Sequence, residues 1–183
     1  ADVTLSRQDF TPSTRRVLTS GCGGGAGSTL GAEGIPPITS SLVVTTDQVL
    51  SLMKELQSHA ELYRVSGGVH VAALGDGAKL LDMAEDVGRH NSIDKILGDC
   101  LFLKIPFKDR LLATTGRLSS EMVLKAAKMG VPIVISHSSA TSRAIALAEQ
   151  VGVTLAGYVR GNRLTVYTHP ERIEGCPQDG GKP

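Results

Sequence analysis

Apolar and polar positions alternate without a period over the first forty residues, and regular patterning starts near Leu42. Residues 42–45 read as a short strand. Then the period lengthens. Val49, Leu50, Met53 and Leu56 recur at helical spacing, and Thr46 as N-cap predicts a helix over 46–59. The apolar run 69–74 predicts a strand, Gly75-Asp76-Gly77 a hairpin turn, and 79–86 the return strand. Ile93, Ile96, Leu97, Cys100 and Leu101 share one side of a predicted helix over 91–103. The remainder alternates: strand 111–114, helix 119–129 capped by Ser119 and ended by Gly130 and Pro132, strand 131–136, and helix 142–151 closed by Gly152. Strand 153–160, the turn Gly161-Asn162 and strand 163–168 close the pattern as a second hairpin.

Alternating β and α units between two hairpins imply an α/β fold. The expected architecture has three layers: a mixed, mainly parallel sheet with helices on both faces. Three regions follow: an irregular N-terminal segment over 1–40, an α/β domain over 41–173, and a Gly/Pro-rich tail over 174–183 expected to be disordered. In sheets of this kind ligands bind beyond the carboxyl ends of the strands.

The 183 residues suit one domain. Aromatic residues are 3% of the chain and Trp is absent, so the core must be aliphatic. A net charge of +1 gives no argument for nucleic acid or an anionic membrane surface. No apolar run approaches the roughly 20 residues that span a bilayer, and no signal peptide is visible at Ala1. The chain starts without Met, as a fragment or processed form would. Three cysteines, at 22, 100 and 176, are too few and too scattered for a disulfide framework or a structural zinc site, and suit a reducing cytoplasm.

Cys22 stands apart. It lies in Thr19-Ser20-Gly21-Cys22-Gly23-Gly24-Gly25-Ala26-Gly27, where little side-chain mass can pack. The run reads as a mobile loop presenting one thiol. Five polar clusters accompany predicted strand ends. Ser66-Gly67-Gly68-Val69-His70 offers backbone N–H groups to an anion, while His70 also fits a satisfied core histidine. Glu85-Asp86-Val87-Gly88-Arg89-His90-Asn91, followed by Asp94-Lys95, stands at a strand-to-helix junction. Arg89 and His90 precede the predicted first turn, where positive charge opposes the helix dipole, so a ligand is as good an explanation as a solvated cap. Thr114-Thr115-Gly116-Arg117-Leu118-Ser119-Ser120-Glu121 combines hydroxyls, a guanidinium and a helix start, which suits a phosphate or carbonyl. Five hydroxyls in Ser136-His137-Ser138-Ser139-Ala140-Thr141-Ser142 supply a helix cap with others to spare. Tyr158-Val159-Arg160-Gly161-Asn162-Arg163 is a turn with two arginines, solvated unless an anion pairs them. No Gly-x-Ser-x-Gly, His-Glu-x-x-His or Cys-x-x-Cys pattern is present. What accumulates is one thiol and a sheet rim rich in glycine, hydroxyl, Arg and His.

These clusters, in this order from about Thr19 to Ile173, resemble the FdhD family, the formate dehydrogenase accessory sulfurtransferases. The chain lacks the N-terminal region that such proteins usually have. The resemblance implies a cytidine-deaminase-like fold, a cytoplasmic homodimer and a sulfur carrier. Its sulfur donor would be a cysteine desulfurase. Its acceptor would be a molybdenum or tungsten cofactor bearing two pyranopterin guanine dinucleotides, destined for the catalytic subunit of formate dehydrogenase. Cys22 matches the first cysteine of the family's Cys-x-x-Cys loop, the one that carries the persulfide. Gly25 stands at the second, a departure that leaves open a cofactor chaperone without covalent chemistry. The guanine-dinucleotide contacts map onto Tyr158, Val159, Arg160, Gly161, Asn162 and Arg163. Gly67, Gly68, His70, Arg89, His90, Gly116, Arg117 and Ser119 are the further rim candidates for the GDP-like moieties. A zinc deaminase, the other chemistry of that fold, lacks its His/Cys-x-Glu and Pro-Cys-x-x-Cys elements here. No metal ligands are expected.

Overall fold

The computed structural model describes residues 34–175. The chain divides into two units, Ala1–Gly31 and Ala32–Pro183, and the described residues belong to the second. Cys22 with its glycine run, Gly25 and Cys176 lie outside them, as does most of the expected tail.

In chain order the elements are β1 (Val44–Thr45), α1 (Thr46–His59), α2 (Glu61–Ser66), β2 (His70–Gly75), β3 (Leu80–Asp86), α3 (Arg89–Leu103), β4 (Leu111–Thr114), α4 (Ser120–Met129), β5 (Ile133–Ser136), α5 (Ser142–Val151), β6 (Thr154–Arg160), β7 (Arg163–Thr168), a 3-10 turn (Pro170–Arg172) and β8 (Ile173–Glu174). Six strands form the main sheet in the order β3-β2-β4-β5-β6-β7, and β1 pairs with β8 in a separate parallel ribbon. β3, β4, β5 and β6 point the same way, and β2 and β7 run against them. The sheet is mixed, as the alternation predicts. The parallel share of its pairings is smaller than "mainly" implies, because β2 lies between β3 and β4 and turns one parallel contact into two antiparallel ones.

Side chains alternate across this sheet. On one face Val71, Ala73, Leu111, Ala113, Ile133, Ile135 and Ala156 pack against Val49, Leu52, Met53 and Leu56 of α1. On the other, Ala72, Leu74, Leu112, Val134 and Leu155 pack against α3, α4 and α5 through Ile93, Ile96, Met122, Val123, Leu147 and Ala148. The three layers are therefore unequal: a single helix covers one face and three cover the other. Residues 34–43 are irregular, as expected, yet they are held to the domain. Ile38 N–H donates to Val151 O at 2.9 Å, and Arg172 Nη2 donates to Ile38 O at 3.3 Å.

Three boundaries differ from the pattern, each for a local reason. The N-cap of α1 is Thr45, not Thr46, because Gln48 three residues on closes a capping box: Gln48 N–H to Thr45 Oγ1 at 3.2 Å and Thr45 N–H to Gln48 Oε1 at 2.7 Å. α3 begins at Arg89, two residues early, because Asp86 Oδ1 accepts Gly88 N–H at 2.8 Å and turns the chain into the helix there. Arg89 and His90 thus belong to the first turn and do not precede it. The 174–183 tail is entered by β8, since Glu174 pairs with Thr45. α2 has no buried residue, and so no apolar period by which to read it.

Two substitutions separate capping from packing. Thr45→Ala should lower stability by about 1 kcal/mol. Leu56→Ala, fully buried under the sheet, should cost about 2–5 kcal/mol. Urea unfolding measures both, and equal losses would contradict this division.

Candidate functional site

The strand ends are tied by hydroxyls. Thr114 Oγ1 donates to Val71 O at 2.9 Å and accepts Gly116 N–H at 3.1 Å. Thr115 Oγ1 accepts Val71 N–H at 3.0 Å. Ser136 Oγ donates to Gly116 O at 2.7 Å and accepts Ser138 N–H at 2.9 Å. All three residues are buried, so each hydroxyl must find protein partners. The loops beyond them are zipped by Leu118 N–H to Ser139 O at 2.9 Å and Thr141 N–H to Leu118 O at 3.0 Å. One rim results, made of the loops that follow β3, β4, β5 and β6 and of the start of β2. Thr114, Thr115 and Ser136 hold that rim together; their hydroxyls are not left for a ligand.

The β3–α3 cluster splits in the same way. Asp86 accepts Gly88 N–H, Asn91 Nδ2 at 3.1 Å and Lys95 Nζ at 2.7 Å. Lys95 holds this carboxyl down to about 2, with Gly88 N–H and Asn91 assisting. Lys95 also donates to Glu85 O at 2.9 Å. Asp94 receives Lys125 Nζ of α4, which donates to His90 O at 3.2 Å as well. These residues brace α3 against β3 and α4. Arg89 and His90 remain.

Arg89 crosses beneath Gly116, where an added Cβ would stand 2.8 Å from Arg89 Cβ. Only glycine lets these backbones approach so closely. Arg89 Nε is buried without a hydrogen-bond partner. His90 Nε2 lies 3.4 Å from Ser119 Oγ and 3.4 Å from Glu121 Oε2. Ser119 is the N-cap residue of α4 by position, but its side chain makes no cap bond and faces His90 instead.

β6 breaks register between Gly157 and Arg160. Gly157 lies so close to the β5–α5 loop that a Cβ would be 2.8 Å from Ser138 O and 2.8 Å from Tyr167 Cε2. Tyr158 N–H donates to Ser138 O at 2.9 Å, and Tyr158 takes φ +50. That conformation is rare for a bulky side chain and costs energy held by the surrounding bonds. Arg160 Nε donates to His137 O at 2.8 Å, and its guanidinium lies 5.7 Å from the Tyr158 ring centroid.

Three half-buried histidines face this rim, each beside arginine. Burial lowers the pKa of His70, and Arg89 and Arg117 lower it further. Burial and then Arg89 lower His90, against the opposing pull of Glu121. Burial and Arg160 lower His137. The rim is therefore positive through its guanidinium groups while its imidazoles are neutral at pH 7.

Of the predicted residues, the structure gathers His70, Arg89, His90, Gly116, Arg117, Ser119, Tyr158 and Arg160 at this rim. Val159 is buried in the α1-side core, and Arg163 pairs in register with Arg160 across the closing hairpin. Gly67 and Gly68 differ from expectation: Gly67 N–H is spent on Tyr63 O and Gly68 N–H on Ser66 Oγ, both finishing α2. The sequence reading missed Glu121, Lys125 and Gly157, whose roles come from partners distant in the chain. His137 was within reach, since it directly follows the most apolar strand. Among the described residues no group of three or more His, Cys, Asp or Glu side chains is placed to hold a metal ion, and no helix is long and apolar enough to cross a membrane.

A family model described as the FdhD/NarQ family matches residues 2–174. The chain belongs to the FdhD/NarQ family. It is 43% identical over 172 residues to the sulfur carrier protein FdhD of Bacillus subtilis, covering 93% of this chain and 64% of that protein. It is 40% identical over 174 residues to the protein of that name from Sulfolobus acidocaldarius, covering 94% and 68%. A crystal structure described as a formate dehydrogenase accessory protein from Desulfotalea psychrophila superposes with a TM-score of 0.69 at 37% identity, covering 75% of this chain and 61% of that one. This likeness agrees with the α/β reading. The chain thus spans less than two thirds of the Bacillus relative and of the solved structure.

The rim yields two expectations. Gly116→Ala should cost about 1–3 kcal/mol, because its Cβ meets the root of Arg89 and the backbone must shift; urea unfolding reads this. The histidines set a pH dependence. Their folded pKa values lie below 6.5, so between those values and 6.5 the unfolded chain binds more protons. Stability is fully present above 6.5 and falls as pH drops below it. Melting temperature from pH 7.5 to 5 should decline more steeply for the native chain than for a variant with all three histidines changed to Gln.

Proposed function

We propose that this chain is a sulfur carrier in the assembly of formate dehydrogenase, and that the rim holds the acceptor. The acceptor is a molybdenum or tungsten cofactor bearing two guanine dinucleotides, written here as substrate. The observation that carries the reading is the rim: Arg89, Arg117 and Arg160 converge on the carboxyl ends of the strands, and Arg89 Nε is buried without a partner. Guanidinium groups in such a setting suit pyrophosphate, and Tyr158 offers an aromatic face to a purine. The family and the names of its relatives support the same reading.

In the first step the Cys22 thiolate attacks the terminal sulfur of a persulfide on a cysteine desulfurase. A new S–S bond forms, the donor's S–S bond breaks, and the donor cysteine leaves as thiolate with the electron pair. Cys22 then bears the persulfide. Delivery as sulfide needs two electrons. A second loop thiol would supply them by closing a disulfide, and Gly25 removes that route. The electrons come from the reduced metal of the acceptor or from another thiol. Cys100 is not that thiol: it is buried, and burial with Asp82 nearby pushes its pKa up to about 11. The working form is a cytoplasmic homodimer, with the catalytic subunit of formate dehydrogenase as client.

The Gly25 substitution favours a second reading, a chaperone that binds the cofactor without covalent chemistry. Mass spectrometry after incubation with desulfurase and cysteine separates the two. A +32 Da adduct of one sulfur atom, on the order of one per chain and lost in Cys22→Ala, is the expected result. Formate oxidation in a strain lacking its own accessory protein should be rescued by the native chain and not by Cys22→Ala. Equal rescue would remove the thiol from the mechanism.

Anion binding should also be linked to protons. Phosphate beside His70, His90 and His137 favours their charged forms, so binding takes up protons. GDP affinity should rise as pH falls from 8 toward 6. Calorimetry in two buffers of different ionisation enthalpy measures the uptake, and identical heats would contradict it.

A further inference from the structure

A second concavity joins the rim from the α1 face. We propose that the outward stripe of α1, Ser51, Lys54 and Gln57, is one wall of a nucleotide groove whose other wall is the β6–β7 turn at Arg160–Asn162. This rests on the dinucleotide reading above and assigns specificity residues that reading does not contain.

The groove has a volume of about 330 Å³ and runs between these two walls. That lies at the lower end of the roughly 300–1,000 Å³ of small-molecule sites, enough for one nucleotide. Its floor is apolar. Met53 and Val159 reach it from cores in which they are 2% and 1% exposed. Its sides are polar. α1 must bury Val49, Leu52, Met53 and Leu56, which turns positions 51, 54 and 57 outward toward the hairpin. Ser51, Lys54, Gln57 and Asn162 make no side-chain hydrogen bond or ion pair among the described residues. Arg160 stands where groove and rim meet: only its Nε is committed, to His137 O at 2.8 Å.

The chemistry of these groups selects an occupant. An apolar floor suits the face of a planar base. Two carboxamides, each with both donor and acceptor, suit the edge of a base that also offers both, such as guanine. An ammonium and the free fork of a guanidinium suit a diphosphate. A guanosine diphosphate moiety has all three parts. Gln57 and Asn162 are assigned to the base edge, and Lys54 with Arg160 to the phosphates.

The test titrates GDP and ADP into the full chain, native and with Lys54→Ala, Lys54→Arg, Gln57→Ala and Lys128→Ala, by calorimetry at constant salt. Circular dichroism verifies that each variant folds. Lys54→Ala should weaken both nucleotides about tenfold, the scale of one charge-assisted hydrogen bond, and Lys54→Arg should restore most of the loss. Gln57→Ala should lower the preference for GDP over ADP several-fold while leaving ADP nearly unchanged. Lys128, exposed on α4 away from the groove, should have no effect. If the native chain binds GDP and the Lys54 and Gln57 variants bind it equally well, the groove is wrong and the rim reading stands. If the native chain binds no GDP, both fall together.

Discussion

The site depends on three buried hydroxyls. Where the β2, β4 and β5 ladders end, backbone groups lose their strand partners while still out of reach of water. An unsatisfied buried group there costs about 1–3 kcal/mol. Thr114, Thr115 and Ser136 remove that penalty by bonding to Val71, Gly116 and Ser138. In doing so they fix where each loop leaves the sheet. Gly116 is thereby set against Arg89, and Ser138 is placed to receive Tyr158 N–H. The positions of the arginines follow from this constraint, because each is carried by a loop that the hydroxyls aim.

Much of the architecture was legible in the sequence. Apolar runs at 111–114 and 133–136, and helical spacing in 142–151, identify elements whose burial is set by their own residues. What was not legible arises from pairing. α2 buries nothing, β8 exists only against β1, and the place of β2 between β3 and β4 depends on how α3 crosses the sheet. The two helix starts that shifted did so through side chains: Gln48 for α1 and Asp86 for α3.

The candidate site was legible as a set of places and not as a set of roles. All five polar clusters except the glycine pair at 67–68 bring groups to one rim. Composition could not tell which member of each cluster builds and which is left over. Asp86, Asn91, Lys95, Asp94, Thr114 and Ser136 are consumed by structure, while Arg89, His90 and Arg160 retain uncommitted groups. The sorting needs a partner list, since it follows from contacts between residues separated by tens of positions. The same limit hides Lys54 and Gln57. Polar residues on the outside of an amphipathic helix look like any solvated face until a hairpin is found opposite them.

The remaining step concerns charge. A rim meant to hold a polyanion would gain attraction if its histidines were charged, yet burial and the neighbouring arginines keep them neutral. Permanent charge comes from guanidinium groups, which cannot lose their protons. The imidazoles form a reserve that becomes charged only once an anion offsets the arginines. Such a rim attracts its ligand at neutral pH without the full self-repulsion of six cations in a small volume. It then tightens as protons enter with the ligand. Arg160 couples the two halves of this arrangement. One nitrogen is tied to the His137 loop, and the rest of the fork faces the α1 groove, so an anion drawn into the groove also perturbs the histidine with which Arg160 shares the rim.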